Sequence, residues 1–119
     1  MVANHVDYGV LSNLQDVMEG EYPTLIDTFL RDSEQRLSQL HHALLAQASG
    51  LDDLAMAAHS LKGSSGNMGA FQLAQLCGQL EECTQRGALA DVQEWVQKIE
   101  REFATVRHLF GIERQRFNG

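Results

Sequence analysis

Apolar side chains recur every third or fourth residue along most of this chain, which is the period of one face of an α-helix. Five such stretches predict helices over about residues 7–18, 21–48, 52–67, 70–86 and 89–110. The sequence has no β-branched run and no Asn-Gly hairpin signal, so we predict an all-α protein. Residues 112–119, which follow Gly111, are expected to fray.

The breaks between these stretches carry residues that start or stop helices. Asp7 can cap the first helix through its side-chain oxygen. Pro23 falls in the first turn of the second helix, where its missing N–H costs nothing. Gly50 ends the second helix, and Gly69 can take the left-handed conformation that ends the third. The four breaks are therefore short turns.

Four long helices joined by short turns predict an antiparallel up-down-up-down four-helix bundle. We expect a single domain over residues 1–119, with the short extra N-terminal helix docked on the bundle, because a short amphipathic helix is not stable alone. The apolar stripe of that helix comprises Val10, Leu11, Leu14, Val17 and Met18. The stripe predicted for the second helix runs from Tyr22 to Ala48.

The charge and the apolar content narrow the classes of partner. The formal net charge of −7 argues against binding to nucleic acid or to an anionic membrane surface. No apolar run approaches the roughly 20 residues that span a bilayer, and the N-terminus lacks the pattern of a signal peptide. We therefore expect a cytoplasmic protein. Cys77 and Cys83 are about 9 Å apart along one helix, too far for a disulfide, and are expected to be core thiols.

The stretch from Ala58 to Ala70 is unusual for a helix. It contains three glycines, a histidine and one of the two lysines, although each glycine inside a helix costs roughly 0.5–1 kcal/mol relative to alanine. At about 100° per residue, His59 lies opposite Leu61 and Leu54 and therefore faces outward. The residues on the same side as His59 are Ala55, Met56, Lys62, Gly63 and Gly66.

This arrangement describes an exposed imidazole with little bulk around it and one ammonium group beside it. A neutral imidazole is a competent nucleophile near neutral pH. Lys62 can balance negative charge that arrives on the ring. Gly63 and Gly66 leave room for a large partner to bring its own reactive group to His59.

The residues His59-Ser60-Leu61-Lys62-Gly63-Ser64-Ser65, followed by Gly69-Ala70, resemble the signature of the histidine-containing phosphotransfer (HPt) domain. The motif falls on the third of five predicted helices, as in that family, and the chain is similar to its stand-alone bacterial type. A domain excised from a hybrid kinase would have the same sequence features.

The resemblance implies a phosphorelay intermediate. His59 would accept a phosphoryl group from an aspartate of a receiver domain and pass it to an aspartate of another receiver domain. Lys62 would stabilise the phosphate, and Gly63 and Gly66 would provide steric clearance. This chain would bind no cofactor, the partner receiver would hold Mg²⁺, and the protein would be a phosphoryl carrier without ATP-dependent kinase activity of its own.

Glu81 occupies the position at which several members of the family carry a glutamine that hydrogen-bonds the imidazole. The sequence leaves two roles open for Glu81: orienting His59 through Nδ1, or a solvated surface acid. The surface expected to dock receiver domains, of hybrid sensor kinases and of response regulators, comprises Ala55, Met56, Val10, Leu11 and Leu14.

Two other functions are conceivable for a helical bundle of this kind. A non-catalytic helical adaptor that binds a response regulator or kinase would not need His59 or Lys62, and both are present. A metal-binding bundle would need inward Glu-x-x-His pairs, and the sequence has none, so we expect no metal site. Because every apolar stripe has a place in the bundle, a monomer is expected.

Overall fold

The computed structural model describes residues 5–117, apart from the side chain of Ala48. Its helices are α1 (Tyr8–Met18), α2 (Tyr22–Leu45), α3 (Leu51–Asn67), α4 (Phe71–Gln85) and α5 (Leu89–Gln115). Short 3₁₀ turns cover Glu19–Glu21 and Gln47–Gly50. Residues 5–117 contain no strand, so the prediction of four long helices and a short N-terminal helix is confirmed.

Each long helix packs against two others. The most extensive packing joins α3 to α4, α2 contacts α3 and α5, and α4 contacts α5. The core between them is apolar, and its largest fully buried side chains include Tyr22, Ile26, Leu40, Leu54, Leu61, Leu73, Leu80, Ile99 and Phe110. Both cysteines are free and buried, as expected for core thiols. None of the helices described here has the length and hydropathy of a membrane-spanning segment.

Helix α1 is tied to the turn between α3 and α4. The Asp7 carboxylate accepts hydrogen bonds from the N–H groups of Gly9 (2.8 Å) and Val10 (3.3 Å), which confirms its predicted role as the cap. The Asp7 N–H donates to the carbonyl oxygen of Gly69 at 2.9 Å. The end of the helix departs from the predicted stripe, because Val17 is 78% exposed. Leu11 is part of the core and Leu14 and Met18 pack against it, so Val17 is the member of the predicted stripe that does not dock on the bundle.

The second helix ends at Leu45, three residues before its predicted end at Ala48. The N–H of Ala46 donates to the carbonyl of Ala43 at 3.1 Å, and Gln47 has a φ of 52°. This turn brings Gly50 against Ala43, where a β-carbon on Gly50 would overlap the Ala43 carbonyl oxygen. The close contact requires glycine at position 50.

The last helix continues to Gln115, five residues beyond its predicted end at Phe110. The predicted fraying is therefore corrected for residues 112–115, and positions 118–119 lie outside the described residues. The buried Glu113 carboxylate accepts hydrogen bonds from Tyr22 Oη (2.7 Å) and Arg116 Nη1 (2.8 Å). Arg114 Nε donates to Asp27 Oδ1 at 3.0 Å. These contacts with the start of α2 hold the added turn in place.

Candidate phosphotransfer site

Helix α3 presents His59 to solvent. Its side chain is 69% exposed, whereas Leu54 and Leu61 are buried in the core, so the predicted orientation of the helix is confirmed. The apolar side chains on the opposite face fix the rotation of α3 about its axis. The imidazole therefore stands on the outer surface of the bundle and is open to a macromolecule.

A single carboxylate from α4 joins the two ionisable side chains of α3. Glu81 Oε2 lies 2.9 Å from His59 Nδ1, and Glu81 Oε1 accepts a hydrogen bond from Lys62 Nζ at 2.6 Å. The Glu81 side chain is only 18% exposed. Of the two roles that the sequence left open, a freely solvated surface acid does not match this geometry. The carboxylate is shared between the imidazole and the ammonium group.

The protonation of Glu81 follows from these neighbours. The hydrogen bond from Lys62 lowers the pKa of the Glu81 carboxyl below its ordinary value; burial opposes this effect and the hydrogen bond with His59 supports it. An ionised carboxylate accepts hydrogen bonds and cannot donate them. Nδ1 of His59 must therefore carry the proton, which leaves the lone pair on Nε2. Within residues 5–117, Nε2 has no hydrogen-bond partner.

The glycines near His59 differ in what surrounds them. A β-carbon on Gly63 or Gly66 would meet no atom of a neighbouring element within 4 Å, so no packing contact among residues 5–117 requires glycine there. On α4, a β-carbon on Gly78 would lie 3.6 Å from Lys62 Cδ, at ordinary contact distance. Gly78 thus lies under the stem of Lys62, whereas Gly63 and Gly66 face open space.

The predicted docking residues are not equally accessible. Met56 is 69% exposed, and Ala55, Val10 and Leu14 are partly buried. Leu11 is only 2% exposed, which corrects its assignment to a docking surface. It is a core residue because α1 turns this side chain into the bundle.

Sequence reasoning missed two features of the protein surface. Tyr8 and Phe71, at the starts of α1 and α4, are about half exposed. A groove of about 550 Å³ also runs between α2 and α3, lined by Arg36 and His42 from α2 and by Met56 and Ser60 from α3. The pattern of polar and apolar residues along α2 indicates which side of the helix faces solvent. It does not indicate which of the solvent-facing residues, such as Arg36 and His42, lie next to α3.

Metal binding finds no support in the described part of the chain. Residues 5–117 contain no group of three or more His, Cys, Asp or Glu side chains that could hold a metal ion. His59 and Glu81 have Lys62 as their third neighbour, and a lysine ammonium group is not a metal ligand.

Comparison with known proteins identifies the family of this chain. The sequence model of the Hpt domain family matches residues 24–109. The crystal structure of histidine-containing phosphotransfer protein B (HptB) from Pseudomonas aeruginosa PAO1 is similar, with 52% sequence identity and a TM-score of 0.92 over 98% of this chain and 99% of that chain. No curated protein sequence gives a significant match.

A structure from rice described as a histidine-containing phosphotransfer protein has a TM-score of 0.85 and 21% identity, over 94% of this chain and 81% of that chain, which supports the fold alone. The chain belongs to the Hpt domain family. Its function is histidine phosphotransfer in a phosphorelay, and its partners are receiver domains.

Proposed function

We propose that His59 is the phosphoacceptor and that its Nε2 atom attacks the phosphorus of a receiver aspartyl phosphate. The observation that carries this proposal is the contact between His59 Nδ1 and Glu81. It favours the proton on Nδ1 and the reactive lone pair on Nε2, which has no hydrogen-bond partner among residues 5–117. His5, His41, His42 and His108 lie outside this arrangement of side chains.

The transfer is a displacement at phosphorus. The Nε2 lone pair forms the N–P bond, the acyl O–P bond breaks, and the receiver aspartate leaves as a carboxylate. Lys62 supports this step because an ammonium group has three donors: one contacts Glu81, and the others are available to the phosphoryl oxygens. Mg²⁺ would be held by the receiver domain, and its charge would act there.

The receiver would dock over the outer face of α3. The exposed Met56 and the open space at Gly63 and Gly66 support this placement, because a partner must bring its aspartate to within bonding distance of Nε2. The groove between α2 and α3 extends this surface towards Arg36 and His42. We propose that receivers of hybrid sensor kinases donate to His59, that receivers of response regulators accept from it, and that the protein works as a cytoplasmic monomer.

We also propose that the four long helices form an antiparallel up-down-up-down bundle. Three contacts between ionisable side chains of α2 and α5 support this topology: Asp27 with Arg114, Glu34 with Arg107, and His41 with Glu100. Their positions rise by seven residues along α2 and fall by seven along α5. The connections between consecutive helices are only a few residues long, which also favours antiparallel neighbours.

The phosphoacceptor can be tested by label transfer. The protein would be incubated with receiver domains that carry a ³²P-labelled aspartyl phosphate, and the label on this chain would be tested for acid and alkali stability. We expect an acid-labile, alkali-stable label on the wild type and on His108→Gln, which removes an exposed histidine on α5. The label should be absent from His59→Gln.

Two results would count against the proposal. A label that persists in His59→Gln would place the phosphoacceptor elsewhere. Stable binding of receivers without any label on the wild type would favour the non-catalytic adaptor. Circular dichroism of His59→Gln provides the folding control, and its spectrum should match the wild type because the side chain is largely exposed.

A further inference from the structure

We propose that Gly78 is a positioning residue for phosphotransfer: its missing side chain leaves open the path by which the Lys62 stem passes α4 and brings its ammonium group to Glu81, beside His59. The role in transfer rests on His59 being the phosphoacceptor. The placement of Lys62 rests on the contact between α3 and α4, so the two parts can be tested separately.

Gly78 lies in the middle of α4, where a glycine is costly. Relative to alanine, it destabilises a helix interior by roughly 0.5–1 kcal/mol. The backbone does not require it, because the described glycines with a positive φ are Gly69 and Gly87. A β-carbon would also fit, since it would lie 3.6 Å from Lys62 Cδ, an ordinary contact distance. What glycine provides here is therefore the absence of any atoms beyond a β-carbon.

The Lys62 stem occupies the space beside Gly78. Among residues 5–117, Lys62 Cδ is the one atom of another element that a β-carbon on Gly78 would approach within 4 Å. Gly78 differs in this respect from Gly63 and Gly66, where a β-carbon would meet no neighbouring element. The free space at Gly78 is thus already used within this chain, by the stem of a charged side chain.

Lys62 passes Gly78 on the way to its hydrogen-bond partner. Gly78 and Glu81 are three residues apart on α4 and so lie on the same face of that helix. Nζ of Lys62, two bonds beyond Cδ, donates to Glu81 Oε1 at 2.6 Å. The Lys62 side chain is 40% exposed, because its stem lies against α4 instead of extending into water. The bare turn at Gly78 allows this course.

A side chain that branches at its β-carbon would obstruct the path. Valine adds two carbons to an atom that already stands at contact distance from Lys62 Cδ, and its rotamer in a helix is nearly fixed. A long unbranched side chain could instead turn back towards the start of α4. Gly78→Val should therefore displace the Lys62 stem, and folding should survive because valine has a better helix propensity than glycine.

The Glu81 carboxyl reports the position of Lys62 without any phosphoryl donor. The hydrogen bond from Lys62 is the main cause that lowers the pKa of Glu81; burial opposes it, and the hydrogen bond with His59 adds to it. If the Lys62 stem is displaced, its ammonium group extends into solvent and its attraction for nearby negative charge weakens. The pKa of Glu81 then rises, and the phosphoryl oxygens lose the same positive charge.

The first experiment follows the ¹³C resonance of the Glu81 carboxyl from about pH 3 to pH 7. The variants are Gly78→Val, the conservative Gly78→Ala, and Lys62→Ala. The matched control is Gly111→Val, which makes the same change in α5 where a β-carbon meets no neighbouring element. The pKa of Glu81 should rise in Gly78→Val and Lys62→Ala and should match the wild type in the other two. Gly78→Thr branches at the same carbon and repeats the test if Gly78→Val does not fold.

The second experiment measures phosphorylation of His59 by phosphoramidate, a small donor whose phosphoryl group passes to Nε2 while ammonia leaves. Phosphohistidine would be followed by ³¹P NMR. Gly78→Val and Lys62→Ala should each react at least about tenfold more slowly than the wild type, whereas Gly78→Ala and Gly111→Val should react at its rate. The double variant of Gly78→Val and Lys62→Ala should be no slower than Lys62→Ala alone, because both changes act through one ammonium group.

The possible results separate this inference from the proposed function. An unchanged pKa of Glu81 in Gly78→Val would overturn the placement of Lys62. Further slowing in the double variant would overturn the role of Gly78, because it would then act by another route, and so would a Lys62→Ala variant that reacts as fast as the wild type. If no phosphoryl group forms on His59 of the wild type, the proposed function fails, while the titration of Glu81 still decides where Lys62 lies.

Discussion

At the scale of residues, the site consists of one nucleophile and two charged side chains that hold each other in place. His59 and Lys62 are separated by one turn of α3, so their proximity follows from the helix itself. Glu81 is 22 residues from His59 and reaches it from α4. The part of the site that lies on one helix was readable from the sequence motif. The contact of Glu81 depends on the packing of α3 against α4.

Gly63 is predicted to serve access rather than folding. Because a β-carbon there meets nothing within 4 Å, Gly63→Gln should not disturb packing and should stabilise the exposed helix by about 0.5–1 kcal/mol through its better propensity. The long side chain should obstruct the receiver and slow phosphotransfer at least about tenfold. Thermal melts measure the change in stability, and phosphotransfer assays quenched at successive times measure the change in transfer rate.

Gly111→Gln is the matched control for this prediction, since it makes the same change in α5 where a β-carbon also meets open space. It should gain similar stability without slowing transfer. A loss of stability in Gly63→Gln would contradict the prediction and would indicate that Gly63 is needed for packing.

At the scale of elements, the attachment of α1 to the corner between α3 and α4 shows how a turn residue can position a helix. Gly69 has a φ of +79° and its carbonyl accepts the N–H of Asp7. The left-handed ending of α3 was predictable from glycine alone. That the same glycine contacts α1 was not, because its partners Asp7 and Val10 lie about 60 residues earlier.

Gly69→Ala should destabilise the fold more than Gly87→Ala. Both glycines have a positive φ, so each alanine carries a backbone cost of about 1–2 kcal/mol. A β-carbon on Gly87 would meet no atom within 4 Å, whereas one on Gly69 would lie 3.0 Å from Asp7 O and from Val10 Cβ. The additional cost at Gly69 should be about 1–3 kcal/mol.

Urea denaturation of the two variants gives the difference directly, and amide hydrogen exchange over residues 8–18 locates it. Faster exchange in α1 of Gly69→Ala alone is the expected pattern. Equal destabilisation of the two variants would mean that the contact of Gly69 with α1 contributes little.

At the scale of the whole molecule, buried acids on α5 contact residues that are distant in the sequence. Glu102 lies 2.7 Å from His5 Nδ1, and Glu113 accepts the hydroxyl of Tyr22 at 2.7 Å. Charged residues are rarely buried without partners. Sequence reasoning placed the end of α5 too early because the apolar stripe ends at Phe110. Tyr22, which contacts the added turn of α5 through Glu113, lies on α2 and is 91 residues away from Glu113 in the sequence.

Tyr22→Phe should lower the free energy of unfolding by about 1–3 kcal/mol near neutral pH, because it leaves a buried carboxylate oxygen of Glu113 without its donor. Tyr8→Phe removes a hydroxyl from an exposed tyrosine and should change stability little. Urea unfolding at pH 7 measures both. Equal stability of Tyr22→Phe and the wild type would show that Arg116 alone satisfies the carboxylate.

The same hydroxyl also predicts a dependence on alkaline pH. Burial, followed by the hydrogen bond and the charge of Glu113, raises the pKa of Tyr22 well above its ordinary value. Above pH about 10 the unfolded chain loses a proton that the native state keeps, so the contribution of Tyr22 to stability falls as the pH rises. That fall should be weaker in Tyr22→Phe than in Tyr8→Phe.

The sequence by itself determined the helices, the outward direction of His59, and the family, because helical periodicity and the motif around His59 are local properties of consecutive residues. The resemblance also marked Glu81 as a residue to examine, without deciding its role. Only the tertiary structure decided that Glu81 is shared between His59 and Lys62, that Leu11 is buried, and that α5 extends to Gln115. These features depend on contacts between helices, which a one-dimensional pattern does not encode.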